Sequence, residues 1–398
     1  MNKKKEIVPQ LRFPEFQGNS IDFLHGNKLF ESITNKNHNS DLPILAITQD
    51  QGAVPRDQIE YNVTVADKSL SNYKVVEVGD FIISLRSFQG GIEYSRFNGI
   101  CSPAYIILRK REENISEQYY KYYFKTWKYI QSLNRNLEGI RDGKMISYSQ
   151  FSSIKIPYPR LFKEQQKVAD CLSSIDELID AESRKLEALK TQKKGLMQKL
   201  FPVKGKTLPE WTFPEFLNGD RWLMDSLSQI CIMQAGKFIN ASEISNERKN
   251  NMYPCYGGNG LRGYTLSHNC SGNYPLIGRQ GALCGNVTFA TGDFYATEHA
   301  IVVTANKNVD KKWLYYLLDY LQLNQYSTRQ AQPGLSVQTL EKVTAIYPQE
   351  EEEQKKIANC LSEIDTMITE QSNKVEQLKV HKKGLMQGLF PSLREADV

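Results

Sequence analysis

No uninterrupted apolar stretch in the 398 residues is long enough to cross a bilayer, and the basic run Met1 to Lys5 is followed by no apolar core of the kind a secretory leader needs. The expectation is a cytoplasmic protein. None of the seven cysteines stands in a Cys-x-x-Cys pair, which fits a reducing compartment. Cys255, His268, Cys270 and Cys284 could be assembled into a metal site on paper, but their spacing matches no zinc pattern, so no metal is expected. Catalytic signatures are equally scarce. Gly205-Lys206-Thr207 ends like a phosphate loop, yet Leu200 stands where the first glycine belongs, and the triplet reads as a linker. No Asn-Pro-Pro-Tyr or Asp-Pro-Pro-Tyr run is present to hold a target nitrogen for methyl transfer. The run Tyr256-Gly257-Gly258-Asn259-Gly260 is followed by Leu261-Arg262-Gly263-Tyr264, which opens no helix, so it reads as a turn rather than a dinucleotide loop. Glu298 beside His299 offers an acid-base pair, but a lone histidine at the start of an apolar strand reads as a satisfied structural residue. Catalysis by this chain is not expected.

Basic excess is also small. The net charge is +5, and residues 207 to 350 carry 11 Lys and Arg against 12 Asp and Glu, where residues 1 to 160 carry 22 against 17. Phosphate neutralisation supplies most non-specific affinity for nucleic acid, so a DNA-binding role would need partners to provide part of the phosphate clamp.

What the chain does have is a repeat. Glu164 to Pro202 is written again from Glu353 to Pro391, with about two dozen identities in 39 positions. Apolar residues recur at steps of four and three: Val168, Leu172, Ile175, Ile179, Leu186, Leu189, Leu196 and Leu200 in one copy, Ile357, Leu361, Ile364, Ile368, Val375, Leu378, Leu385 and Leu389 in the other. That is a coiled-coil seam. Cys171 and Cys360 flank it at matching positions where a small apolar residue packs. It is interrupted at matching places by Glu182 and Gln371, then by Lys193 and Lys382, a pattern that fixes register. A helix of about 37 residues spans roughly 55 Å, more than one small domain can cover, so the two copies are expected to pair with each other. An antiparallel pair, the arrangement favoured here, would place the intervening segments at opposite ends. Gly195 and Gly384 inside these helices cost about 0.5 to 1 kcal/mol each relative to alanine. Close approach of another backbone, from the sister helix or a partner, is the expected reason.

The doubling reaches the segments between the helices. Phe13-Pro14-Glu15-Phe16 recurs as Phe213-Pro214-Glu215-Phe216, and Gly79-Asp80-Phe81 followed by Arg86 corresponds to Gly272-Asn273-Tyr274 followed by Arg279. Short β-rich runs at 74–78, 81–85, 105–108, 274–277 and 300–304, with one helix apiece at 117–134 and 310–325, give an α+β class. The expected organisation is a first domain at 1–160, a central helix at 161–204, a second domain at 205–350 and a C-terminal helix at 351–398.

The paired Leu-Lys-x-x-Lys-Lys-Gly-Leu-Met-Gln-x-Leu-Phe-Pro segments, Leu189 to Pro202 and Leu378 to Pro391, resemble the two conserved regions of type I restriction-modification specificity subunits. Cys101 to Tyr105 and Ile277 to Gly281 resemble wording in that family's target recognition domains. The resemblance implies a non-catalytic, DNA-binding subunit of a restriction system, in which each domain reads one half of an asymmetric bipartite site. The helices would set half-site spacing and dock two modification (methyltransferase) subunits, with restriction (translocase and nuclease) subunits completing the complex. S-adenosylmethionine, ATP and Mg would sit on those partners and no cofactor on this chain. No membrane is involved.

Readout is assigned to polar Gly-rich turns. Arg86, Ser87, Gln89 and Arg96 are the candidates in the first domain, and Asn259, Arg262, Arg279, Gln280 and Asn286 in the second. Arginine addresses guanine, while Asn and Gln address adenine. Arg86 and Arg279 hold equivalent places, so a shared structural role in fastening the loop is the competing reading. Arg141, Lys144 and Arg329 are candidates for phosphate contacts. The alternative function is a coiled-coil protein-protein scaffold that binds no DNA, which the weak charge bias favours and the turn chemistry opposes. A stand-alone hydrolase lacks any assembled nucleophile or carboxylate pair.

Overall fold

A computed structural model describes residues 8–39, 41–59, 67–135, 146–217, 222–281, 283–328 and 333–391. The chain divides into two compact units, Met1–Ser183 with Lys374–Val398, and Arg184–Asn373. These units cut across the segment boundaries drawn from the sequence, because each long helix, Phe162–Leu200 and Glu351–Leu389, contributes one portion to each unit.

In the first unit an antiparallel sheet takes the order Phe30–Ile33, Ile106–Lys110, Phe81–Ile83, Glu93–Tyr94. A separate ladder pairs Ile21–His25 with Lys155–Pro159 immediately before the long helix. The inner faces meet on a cluster of Phe30, Phe81, Tyr120, Phe124 and Phe151, all fully buried with ring centroids 5.0 to 6.3 Å apart. Burying each such ring contributes about 1.5 to 3 kcal/mol, with edge-to-face geometry adding to it.

The expected helix over 117–134 is two helices, Glu117–Tyr123 and Trp127–Arg135. Ser116 caps the first. At the break, a Cβ on Gly91 would lie 2.1 Å from the Phe124 carbonyl oxygen, and Lys125 turns away to Glu93 and the Gly90 carbonyl. Thr126 donates to the Tyr123 carbonyl and restarts the helix. The expected helix over 310–325 likewise ends at Tyr320, where Gln322 takes a left-handed φ of 49° before a short turn at Leu323–Tyr326.

The second unit repeats the plan. Its main sheet runs Cys231–Ala235, Ala300–Ala305, Tyr274–Gly278, Val287–Ala290, and Trp222–Ser226 pairs with Thr344–Pro348 before the second long helix. A second four-stranded sheet, Gly260–Thr265, Tyr253–Gly257, Asp293–Ala296, Cys270–Ser271, has no counterpart of that size among the described residues of the first unit.

Every one of the sixteen seam residues is buried or half-buried. Within the first unit Asp176 pairs with Lys382 and Glu182 with Lys374, so numbers rise along one helix as they fall along the other. Within the second, Lys193 pairs with Asp365, while Leu200 and Phe201 share a core with Ile357 and Leu361. Both pairings are antiparallel. Two of the seam interruptions, Lys193 and Lys382, are thus partners of an aspartate on the facing helix, and each amine also lies over a domain tyrosine, 5.3 Å from the Tyr316 centroid and 5.4 Å from the Tyr122 centroid.

The domain is clamped to the helix in the same way twice. Buried Gln165 accepts from the Ser116 N–H at 2.8 Å and donates to the Pro159 carbonyl at 2.9 Å; buried Gln354 accepts from the Asp310 N–H at 2.8 Å and donates to the Pro348 carbonyl at 2.9 Å. Such fully satisfied buried polar groups specify one docking geometry.

The expectation for the helix glycines fails for the sister helix. A Cβ on Gly195 or Gly384 would meet nothing within 4 Å. Close approach occurs one turn later at Gly388, whose carbonyl accepts from the Leu11 N–H at 2.9 Å and where a Cβ would lie 2.6 Å from the Leu11 side chain. Among the described residues no helix is long and apolar enough to cross a membrane.

Candidate nucleic-acid interface

Sheet order in the second unit gathers turns that are far apart in sequence. The strand ending at Gly278 runs into Arg279, whose N–H donates to the His299 carbonyl at 2.9 Å and whose carbonyl accepts from the Leu335 N–H at 2.9 Å. The 257–260 turn packs against this point. A Cβ on Gly278 would sit 1.9 Å from the Gly258 carbonyl oxygen, so two backbones touch where only glycine fits. Gln280 bridges to Gly334, the Asn286 carbonyl accepts from the Gly278 N–H at 2.9 Å, and a Cβ on Gly257 would lie 3.6 Å from the Arg262 side chain.

Asn259, Arg262, Gln280 and Asn286 are exposed and Arg279 is half-buried, on turns whose backbones adjoin where Gly278 meets Gly258 and Asn286. Their side chains offer guanidinium and carboxamide groups on a backbone that hydrogen bonds hold in place, the chemistry that reads base edges. The same turns carry two residues that sequence reasoning set aside. Glu298 and His299 lie on the 297–299 turn, with His299 Nε2 3.1 Å from Glu298 Oε1. Burial pushes the Cys255 thiol up, with Arg262 opposing and Glu298 reinforcing the shift, which places both charges near that strand. A polar pair inside the repeat of glycine turns was the available signal.

The first unit separates its candidates. Arg86 and Gln89 are exposed around the short helix Ser87–Gly90, and the Arg86 carbonyl accepts from Gln49 at 3.3 Å. Ser87 is buried, and its hydroxyl accepts from the Ser84 N–H at 2.9 Å, so it builds the turn and faces no solvent. Arg96 is exposed but lines a different recess, about 290 Å³, with Tyr94, Lys121, Tyr122, Asp176 and Asp180. There the Lys121 amine is pushed down to about 8, chiefly by burial and further by Arg96, with Asp176 opposing. Arg141, Lys144 and Arg329 lie outside the described residues. Cys255, His268, Cys270 and Cys284 do not come together as ligands: among the described residues no three His, Cys, Asp or Glu side chains could hold a metal ion.

The family model for the type I restriction modification DNA specificity domain matches twice, over residues 21–191 and 220–379. The EcoprrI type I restriction enzyme specificity subunit of Escherichia coli is 44% identical over 151 residues, a match spanning 37% of each chain. The MjaVIII specificity subunit of Methanocaldococcus jannaschii is 26% identical over 339 residues, or 78% of each. Among solved structures, a type I restriction-modification S subunit from M. genitalium superposes with a TM-score of 0.63 at 18% identity, covering 97% of this chain and 100% of that one. A structure concerned with complex assembly and conformational transition of the type I R-M system gives 0.58 at 16% identity, covering 94% and 98%. At those identities the likeness is one of fold.

Proposed function

Since the chain belongs to the type I restriction modification DNA specificity family, with one copy of the family domain in each half, we propose that each copy reads one half of an asymmetric bipartite DNA site. The observation that carries this reading is that the two units share one plan, from sheet order to the glutamine clamp, while their turns differ in residues that address bases. A common scaffold with unlike surfaces suits two unlike half-sites, as two-fold repressors suit like ones about 34 Å apart. In this proposal residues 1–160 and 205–350 are the target recognition domains, and the helices at 161–204 and 351–398 set the spacing.

Arg86 and Gln89 serve the first half-site; Asn259, Arg262, Arg279, Gln280 and Asn286 serve the second. Arg96, exposed in its separate recess, is kept with the first half-site, and Arg141, Lys144 and Arg329 are assigned to the backbone. The chain itself is non-catalytic and cytoplasmic. Two modification subunits dock on the helices and, with restriction subunits, bring S-adenosylmethionine, ATP and Mg. Two features support docking: the open faces at Gly195 and Gly384, and the absence of a basic excess in residues 207 to 350, which calls for partner cations on the phosphates.

The test is to express the chain with its modification subunits in a methylation-free host and map modified bases directly. A discrete two-part sequence with a fixed spacer is expected. Methylation without sequence preference, or assembly that never involves duplex DNA, would overturn the proposal in favour of the scaffold reading. In competition binding, an Arg279→Ala complex that kept both preference and affinity would remove that residue from the interface.

A further inference from the structure

Six buried side-chain atoms among the described residues lack a hydrogen-bond partner, and three of them, Arg279 Nε, Glu298 Oε2 and His299 Nδ1, belong to the single turn cluster of the second unit. Unpaired polar atoms cost stability, so a cluster of them at the end of a recognition sheet marks a place where another molecule completes the bonding. His299 Nε2 lies 3.1 Å from Glu298 Oε1, while Glu298 Oε2 is buried without a partner. The Arg279 N–H donates to the His299 carbonyl at 2.9 Å, which joins the two turns. The three unpaired atoms are themselves covered, but the side chains are 30% exposed for Glu298 and 37% for His299, so the turn lies at the surface.

We propose that Glu298 and Arg279 together read one cytosine-guanine pair in the half-site of the second domain, with His299 as a positioning residue; this rests on the family reading above and deepens it. The chemistry selects the pair. An ionised carboxylate only accepts and a guanidinium only donates. In the major groove cytosine presents its N4 amine as a donor, and the guanine opposite presents O6 and N7 as acceptors, so one base pair satisfies both groups. A carboxylate at this place repels phosphates, which excludes a backbone contact and suits a base edge. His299 keeps Glu298 from turning to solvent.

The experiment uses the full chain with its modification subunits and maps methylated sequences for wild type, Glu298→Gln, Arg279→Lys and His299→Ala. Glu298→Gln is expected to leave the first half-site unchanged and relax a single position of the second, with discrimination there falling about 5- to 150-fold and adenine-thymine newly accepted, because a carboxamide pairs with adenine. Arg279→Lys should relax the same position, and His299→Ala should do so more weakly. Retention of the first half-site in the same molecules reports that the complex is folded. An unchanged second half-site in Glu298→Gln, or a loss spread evenly over both halves, overturns the assignment. Should that variant give no methylation at all, Glu298→Asp decides: relaxation at one position supports the proposal and an unaltered site refutes it. A wild-type complex with no bipartite preference would instead be the failure of the family reading.

Discussion

The polar link between the two helices can be dismantled one side chain at a time. Asp365 accepts from the Tyr316 hydroxyl at 2.7 Å and pairs with Lys193 at 2.7 Å, with the lysine side chain 17% and the aspartate 33% exposed. Asp365→Ala forfeits a hydrogen bond to a charged acceptor, about 1.5 to 3 kcal/mol, and a half-buried ion pair, about 1 kcal/mol or less. It also strands Lys193 in the seam. The expected loss is about 2 to 4 kcal/mol. Lys193→Met removes the same ion pair but places an apolar side chain of similar length in the heptad, so it should cost under about 1 kcal/mol. Combined, the two should cost less than their sum by about 1 kcal/mol, because the second change removes the charge that the first left unpaired. Urea unfolding of the full chain followed by tryptophan fluorescence reads this unit, since Trp211, Trp222 and Trp313 lie in it and only Trp127 lies in the other. A loss below about 0.5 kcal/mol for Asp365→Ala, or strict additivity of the pair, would refute the reasoning. Asp176→Ala should behave alike in the first unit, where Tyr122 donates to Asp176 at 2.9 Å and Lys382 pairs with it.

Glu353 and its counterpart Glu164 should respond to neutralisation with opposite signs. The Glu353 carboxyl is pushed up to about 7, chiefly by burial, with the Trp222 hydrogen bond opposing and Glu350 adding. A carboxyl that holds its proton more tightly when folded contributes stability at low pH, and that contribution is lost as pH rises from the ordinary carboxylate range through about 7. Glu353→Gln should therefore raise stability at pH 8 by on the order of 1 kcal/mol, read as a higher thermal midpoint, and leave the midpoint unchanged near pH 4. Glu164 instead is held by Arg12 at 2.7 and 2.9 Å with both side chains buried, and Glu164→Gln should cost about 2 to 4 kcal/mol at neutral pH in the same melts. Gly195→Leu and Gly384→Leu should leave the chain alone as stable as before or slightly more so, since leucine is the better helix former, yet block assembly with modification subunits on size exclusion; unimpaired assembly would place the docking face elsewhere. Inserting one heptad at matching points in both helices should lengthen the spacer by about 10 Å, near three base pairs, in mapped methylation sites.

The long helices were open to reading from the heptad alone, because a seam is a local periodicity and the sixteen residues that write it are the ones the structure covers. Their antiparallel direction was favoured and is observed, but the heptad alone left either direction open, since apolar positions look the same from either end. Ion pairs such as Lys193 with Asp365 and Glu182 with Lys374 fit one direction, and which acid faces which lysine is not written in the apolar repeat. The break at Phe124 escaped notice for a related reason: nothing in Tyr-Phe-Lys-Thr forbids a helix, and the Phe124 carbonyl that the break leaves open abuts Gly91, more than thirty residues earlier in the chain.

The turns of the second unit were picked out by their residue types, and the structure sets the backbones of the turns that carry Asn259, Arg279, Gln280 and Asn286 against one another. The same criterion misplaced Ser87, whose hydroxyl is consumed inside its own turn, and grouped Arg96 with Arg86 although a strand and a recess separate them. Composition and periodicity act over a few residues, and they were sufficient to determine the duplication, the helix seam and the α+β class. Which side chains share a turn cluster, which polar atoms go unpaired and which charge faces which helix depend on strand order and on contacts between residues far apart in the chain, and those only the folded structure decides.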